Sequence, residues 1–596
     1  MYQIGCGKAD ITAFVKGAGM LGYGLYFHTM EGIETSLFAR AFVIADETKG
    51  TKLTIVNCEL GFITIALKKG VLAELERRKP NSGYTEETLM LTAQHTHSGP
   101  GGFSYYGIYN ISIPGFVPEI YKKLVTGITD AIEQAEANKV AGTVSFAKGE
   151  FTLDKNVAFN RSLLQYNQNP EVVEKLTPET TNKGVNREMT LLKFTAADGK
   201  ELGSINWFGV HTTSASNDLN KICSDNKGYA SLFLEEEKGG DYVGAFAQGI
   251  CGDVTPRFKY NSKRKFQRGY WDGEFEDDYK SAQYNGKLQC EKAKEILDTP
   301  VEKTLPLNGG LDCGVQYVDF TRVQCDPAFT NGNLDARTGS AVMGMAFLGG
   351  AYVDGPGAHP ALVKAAGGIL TFIKYFEKTK AFFLKGEYKQ IIDLKYKTQG
   401  NKKLAIETNA RRIFGTKHIN RLIVPAWLDP SIYLLKQFFL KDGHRNKPWS
   451  ARILPIQMFR IDSVALVAFP FEITTIAAKR LKDSVEKRLK EKGVKEVIIV
   501  PYANSYSGYI TTFEEYQVQM YEGGHTVFGE WSLAALQTKF DELCKAMLVN
   551  KEDRNILHDD LPPEFTEDEL NQFPFYKAAW YARKERRAAR KNKTKA

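Results

Sequence analysis

The sequence predicts a large mixed α/β fold, with helices layered on sheet and some strands joined as β-hairpins. Three observations carry that prediction. Strand-like and helix-like stretches alternate between residues 51 and 151, the pattern of a sheet covered by helices. Two later segments read as strand–turn–strand. The chain of 596 residues, 43% hydrophobic and 25% charged, is long enough to bury a substantial core without cross-links.

The elements follow in order. "TKLTIVNCEL" is apolar and β-branched and predicts a strand. "ALKKGVLAELERRK" places Leu67, Val71, Leu72 and Leu75 on one helical side. "ETLMLTAQ" is a second strand. "PEIYKKLVTGITDAIEQAEANK" is a long amphipathic helix with Pro118 near its start, and "GTVSFAKGEF" is a strand. "MTLLKFTAADGKELGSINWFGV" predicts a hairpin turning at Asp198–Gly199. "PIQMFRIDSVALVAFPFE" predicts another, turning at Asp462–Ser463. "AAKRLKDSVEKRLKEKG" is then a helix stopped by Gly493, and "KEVIIVPYANSY" a strand running into a loop. No internal repeat is seen. A single catalytic domain over residues 1–545 and a charged C-terminal extension over 546–596 are expected.

Composition narrows the function classes. No run of about 18 uncharged apolar residues occurs; the most apolar candidate, "LIVPAWLDPSIYLLKQFFL", is broken by Pro425, Asp429, Pro430 and Lys436. The N-terminus lacks the basic and apolar regions of a secretory signal. A cytoplasmic or peripheral membrane protein is expected, with secretion left open. The eight cysteines are scattered with no CxxC pair, so buried reduced thiols are expected. The net charge of +8 is concentrated in "RKERRAARKNKTK" at 583–595, which holds eight basic residues and one Glu. Such a tail is either a solvated end or a contact for an anionic membrane. The rest of the chain is near neutral, which argues against nucleic acid as a partner.

Chemistry is expected where polar groups fall just past strand ends. His95 and His97 follow "LMLTAQ", His211 follows "SINWFGV", Glu472 follows "ALVAFPF", and "AFAQGICGDVTP" presents Asp253 and Thr255. Imidazole nitrogens and a carboxylate suit a catalytic zinc with an open position. Spacing alone favours buried, hydrogen-bonded histidines over a metal site, and favours Glu472 pairing with Lys479 or Arg480. In an extended strand the rings of His95 and His97 would point to opposite faces. No GxSxG elbow and no dinucleotide-binding GxGxxG is present, which disfavours those enzyme classes.

Seven fragments, in this order, resemble the neutral ceramidase family: "TAQHTHSGPGG", "FNRSL", "SDNKGYAS", "GDVTP", "DGPG", "ILPIQMFRI" and "YITTFEEYQVQMYEGG". The opening "GKADIT…LGYG…GIETSLFARAFVIAD" is similar too. The resemblance spans residues 3–540. It implies a zinc amidohydrolase that cleaves the N-acyl bond of ceramide to sphingosine and a fatty acid. It implies one zinc on His95, His211, Glu472 and Tyr509, with His97 beside the substrate, and Arg161 and Tyr521 on the headgroup and the reacting carbonyl.

Three departures from the family pattern stand out. Thr255 occupies the position of the family's serine nucleophile. Three routes are then open: Thr255 attacks, zinc-bound water attacks with Thr255 orienting it, or the amidase activity is weak or lost and a lipid-binding homologue remains. Phe471 stands where the family has glycine, and Glu34 where it has histidine, which bears on headgroup choice and on whether another N-acyl lipid is the substrate. The segment after residue 545 is too short and polar for the immunoglobulin-like domain many relatives carry, so no such domain is expected.

Overall fold

The computed structural model describes all residues except 26, 111, 114, 264–270, 356, 418–446, 567–568 and 571–596. The apolar stretch at 422–440 and the basic stretch at 583–595 therefore lie outside the described residues.

Two sheets stack face to face. The larger has nine strands, and its main path runs 243–248, 201–208, 188–196, 140–150, 2–10, 38–46, 51–58, 89–93, with 305–307 paired to 140–150. Most neighbours are antiparallel; 201–208 with 243–248, and 51–58 with 89–93, are parallel. The second sheet orders its strands 311–319, 453–461, 464–468, 496–500. Its last pair is also parallel.

Alternation along Phe38–Asp46 shows how the layers form. Ala39, Ala41 and Val43 face the helices Ile65–Arg78 and Pro118–Ala137, while Phe42 and Ile44 face the second sheet. Phe459, Leu466 and Ile498 of that sheet close the layer between them. Its far face packs under Thr475–Leu489 and Ser532–Leu548. The result is helix, sheet, sheet, helix, the mixed α/β layering the sequence predicts.

Both predicted hairpins form. Strands Glu188–Ala196 and Glu201–Phe208 pair antiparallel around Gly199, whose φ of +89° suits glycine in a tight turn. Strands Ile453–Ile461 and Val464–Ala468 turn at Asp462. All eight cysteines are buried and unpaired, as expected. The first part of the 546–596 extension runs back along Leu311–Asp319: Tyr317 N–H donates to His558 Nδ1 at 3.1 Å, and Arg554 pairs with Asp312 at 2.8 Å. Among the described residues, no helix is long and apolar enough to cross a membrane.

Candidate active site and metal centre

His95, His97, His211, Thr255 and Glu472, all singled out just past strand ends, gather at one edge of the stacked sheets, while the Asp253 carboxylate is bonded to Asn160 and Thr475. His95 follows Leu89–Ala93, His211 follows Glu201–Phe208, Thr255 lies beyond Val243–Gln248, Glu472 beyond Val464–Ala468, and Tyr509 beyond Glu496–Val500. The first four follow strands whose C-terminal ends point to this edge, the position α/β sheets use for ligands.

His95 and His97 do not follow the alternation of an extended strand. His95 has a φ of +76°, a conformation rare for a residue with a Cβ. That turn brings the two rings together. Their Nε2 atoms lie 3.0 Å apart and their planes are nearly perpendicular, at 87°. The opposite-face expectation is thus corrected, because the strand has already ended.

The imidazoles are aimed by the backbone. His95 Nδ1 meets the Gly61 carbonyl, and His211 Nδ1 meets the Val254 carbonyl at 2.8 Å. A carbonyl only accepts, so each Nδ1 carries the proton and each Nε2 presents its lone pair inward. Glu472 Oε2 lies 3.2 Å from His211 Nε2 and 3.5 Å from His95 Nε2. Donors on one tetrahedral zinc would stand about 3.4 Å apart, from bond lengths of about 2.0–2.2 Å. The donor set therefore fits a zinc ion.

Glu472 is anchored as carefully. Tyr502 O–H donates to Oε2 at 3.0 Å, and Tyr506 O–H donates to Oε1. Burial alone would raise this carboxyl; protonated His95 and His211 would outweigh it and hold Glu472 well below the usual carboxylate range, whereas with the imidazoles neutral the two phenols steady its charge. Glu472 does not pair with its sequence neighbours: Arg480 bonds Glu171 and Glu514, and Lys479 bonds Asp483. A two-residue parallel ladder sets Glu472 beside Tyr509. Burial and the Glu472 charge raise the Tyr509 phenol well above its ordinary pKa.

His97, His95 and His211 also form a group whose ligand atoms all lie within 4.8 Å of one another. Burial, then the neighbouring imidazoles, lower the His97 pKa well below its ordinary value, which leaves the ring neutral. Its Nδ1 is buried with no hydrogen-bond partner among the described residues.

A second network adjoins the first. Thr255 O–H donates to Asp354 Oδ1 at 2.6 Å, and Thr213 O–H donates to the same oxygen at 2.8 Å. Arg161 Nη1 pairs with Asp354 Oδ2 at 2.6 Å, its Nε with Glu522 at 3.0 Å, and its Nη2 donates to the Tyr509 oxygen at 3.2 Å. Tyr521 sets its ring edge-on to Tyr509 and near the Arg161 guanidinium. All eight candidate residues thus belong to two linked clusters. Four partners had no role from sequence: Asp354, Tyr502, Tyr506 and Glu522. Asp354 lies in the quoted "DGPG" and Glu522 in "YEGG", so a signal existed, but nothing in spacing said what they bond.

A sequence profile of the family described as "Neutral/alkaline non-lysosomal ceramidase, N-terminal" matches residues 2–384 and 427–538. The chain belongs to the neutral/alkaline non-lysosomal ceramidase family. That makes it an enzyme of the linear-amide hydrolase class. It is 34% identical to a neutral ceramidase of Pseudomonas aeruginosa over 92% of this chain and 72% of that protein. It is 29% identical to neutral ceramidase B of Dictyostelium discoideum, with the same two coverages, 92% and 72%. A solved structure described as "Ceramidase complexed with C2" superposes with a TM-score of 0.75 at 32% identity, covering 94% of this chain and 77% of that one. The neutral ceramidase crystal structure from Pseudomonas aeruginosa gives 0.72 at 31% identity, covering 94% and 76%.

Two departures from the ceramidase pattern sit away from these clusters. The Phe471 ring packs against Phe320 and Phe528 in the core beneath the second sheet. Glu34 pairs with Lys221 at the surface, at 2.8 Å. The third, Thr255, is inside the site.

Proposed function

We propose that this chain, through residues 1–545, hydrolyses the N-acyl amide bond of ceramide to sphingosine and a free fatty acid, with one zinc on His95, His211, Glu472 and Tyr509. The observation that carries this reading is the convergence of two inward-facing Nε2 atoms and one Glu472 oxygen at 3.2–3.5 Å, next to a hydroxyl held by a carboxylate. Zinc bound there would polarise the amide carbonyl, a weak electrophile, and acidify water.

The chain's own groups do the rest. Thr255 Oγ attacks the acyl carbon and forms an ester; the C–N bond breaks. The neutral His97 imidazole carries the hydroxyl proton to the departing nitrogen, so the amine leaves uncharged. Water then cleaves the ester and restores the Thr255 hydroxyl. Arg161 and Tyr521 offer donors to the developing oxyanion, where loss of one donor costs about 3–4 kcal/mol. A second reading has water attack while Thr255 only orients it. It is favoured by the Arg161–Asp354 pair, which lowers the basicity of Asp354 despite its burial.

The test is fatty-acid release from a short-chain ceramide by purified protein, with and without a zinc chelator. Release that the chelator stops and added zinc restores is expected. No release from folded, zinc-loaded protein overturns ceramide hydrolysis.

A further inference from the structure

The longest helix among the described residues, Pro360–Leu384, turns its apolar side outward. Leu362, Ile369, Phe376 and Phe383 recur every seven residues with Phe372 between them, and they are 54–74% exposed. Its buried residues Gly367, Leu370, Glu377 and Ala381 lie on the other side. The next helix, Gly386–Gln399, adds exposed Ile391 and Leu394. Isolated exposed apolar residues need no explanation, but a continuous stripe marks an interaction surface.

Exposed Tyr375 and Phe382 widen the stripe toward Lys378, which stands one helical turn from each and borders it with positive charge. Residues 360–399 hold eight Lys against two Glu and one Asp. Between the two helices and residues 401–415 lies a cavity of about 420 Å³ whose lining includes Lys374, Lys378, Lys395, Lys402 and Lys403, with Glu407 as its acid. Lys395 is matched, bonding Glu377 and Glu407 at 2.7 and 3.1 Å. Lys402 is tied to the Thr526 and Val342 carbonyls. Lys374, Lys378 and Lys403 have no carboxylate partner among the described residues, and Lys374 donates only to the Gly400 carbonyl, at 3.4 Å. Lys374 and Lys378 stand over the Tyr396 ring, at 5.3 and 5.8 Å. An apolar stripe bordered by unmatched ammonium groups is complementary to a bilayer surface that carries phosphates.

The helix also starts at the active site. Five residues separate Asp354 from Pro360, and Phe347, on the preceding turn, stacks on Tyr521 at 5.4 Å. The family profile skips residues 385–426, which include the second helix and part of the cavity wall.

We propose that the helix pair 360–399 docks this enzyme on anionic phospholipid bilayers: the stripe enters the interface, and the lysine-lined cavity takes a lipid phosphate. A lipid substrate would then be drawn from the surface beside Asp354; only this last step rests on the ceramide reading.

The experiment is co-sedimentation of full-length, zinc-loaded protein with phosphatidylcholine vesicles, with and without phosphatidylglycerol. Two variants are compared, F372S/F383S and K374A/K378A/K403A, and each is also assayed on water-soluble short-chain ceramide. Binding that needs phosphatidylglycerol and falls with salt is expected. The lysine variant should bind on the order of 100-fold more weakly. The phenylalanine variant should lose binding too, and short-chain turnover should stay unchanged in both. Vesicle binding unaltered in both variants, or abolished only by deleting 583–596, overturns docking by the helix pair. Stabilisation by inorganic phosphate without vesicle binding also overturns it, leaving an ion site. An inactive protein that still binds vesicles sinks the hydrolysis reading and leaves docking standing.

Discussion

Thr255 donates its hydroxyl proton to Asp354 across 99 positions of sequence, at 2.6 Å. Asp354 in turn holds Arg161, so in the proposed mechanism one carboxylate would link the reacting hydroxyl to an oxyanion donor. Asp354→Asn keeps the size and removes the charge. Its kcat on short-chain ceramide should fall by roughly 10²–10⁴-fold. Adding it to Thr255→Ala should cost much less than it does alone, because the two act as a unit. Additive losses in that double-mutant cycle would show that Asp354 acts on something else.

Zinc content separates two ligand sets. If His95, His211, Glu472 and Tyr509 hold the ion, His211→Asn and Glu472→Gln should lose zinc affinity by more than the roughly 10–100-fold that an outer hydrogen-bond partner costs. His97→Asn should keep zinc near one per chain while turnover drops. Loss of zinc in His97→Asn with retention in Glu472→Gln would instead make the three histidines the site. Metal analysis of the purified variants, with melting temperatures as a fold control, decides it.

Gly22 sits at φ +132°, and a Cβ there would come 2.6 Å from His97 Cγ. Gly22→Ala should therefore displace the His97 ring as well as strain the backbone. Turnover should fall while zinc content holds. Full activity would mean that the His97 position is not critical.

A pH effect is built into Lys227. It is fully buried, donating to the Phe208 carbonyl at 2.6 Å, and burial lowers its pKa to about 7. The unfolded side chain titrates near about 10.4. Between those values the unfolded chain binds the extra proton, so stability rises with pH across that window; below it the folded state carries the buried charge in full. From pH 7 to 9 the wild type should gain on the order of 2 kcal/mol relative to Lys227→Met. Urea midpoints at the two pH values check this, and parallel curves for the two proteins would refute it.

How much of this was legible in the sequence depends on the range of the interaction. Strands, helices and the hairpin at Asp198–Gly199 are local, set by hydrophobic period and turn chemistry, and they formed where the residues predict. His95, His211 and Glu472 were legible as strand-end polar groups and as matches to a family pattern, Tyr509 only as a match to the family pattern. The orientation of His97 was not, because it depends on one left-handed residue at the end of a strand. Nor were the partners: Asp354 for Thr255, and Tyr502 and Tyr506 for Glu472, since spacing says nothing about which loops converge.

The outward face of Pro360–Leu384 shows the same division. Only packing shows that Gly367 and Leu370 face the protein while Phe372 and Phe383 face solvent. By itself the sequence determined the elements and the family and offered candidate metal ligands, because those follow from local pattern and residue chemistry. The tertiary structure decided which nitrogen faces inward, which carboxylate holds the hydroxyl and which apolar face stays uncovered, because those depend on contacts between residues tens to hundreds of positions apart.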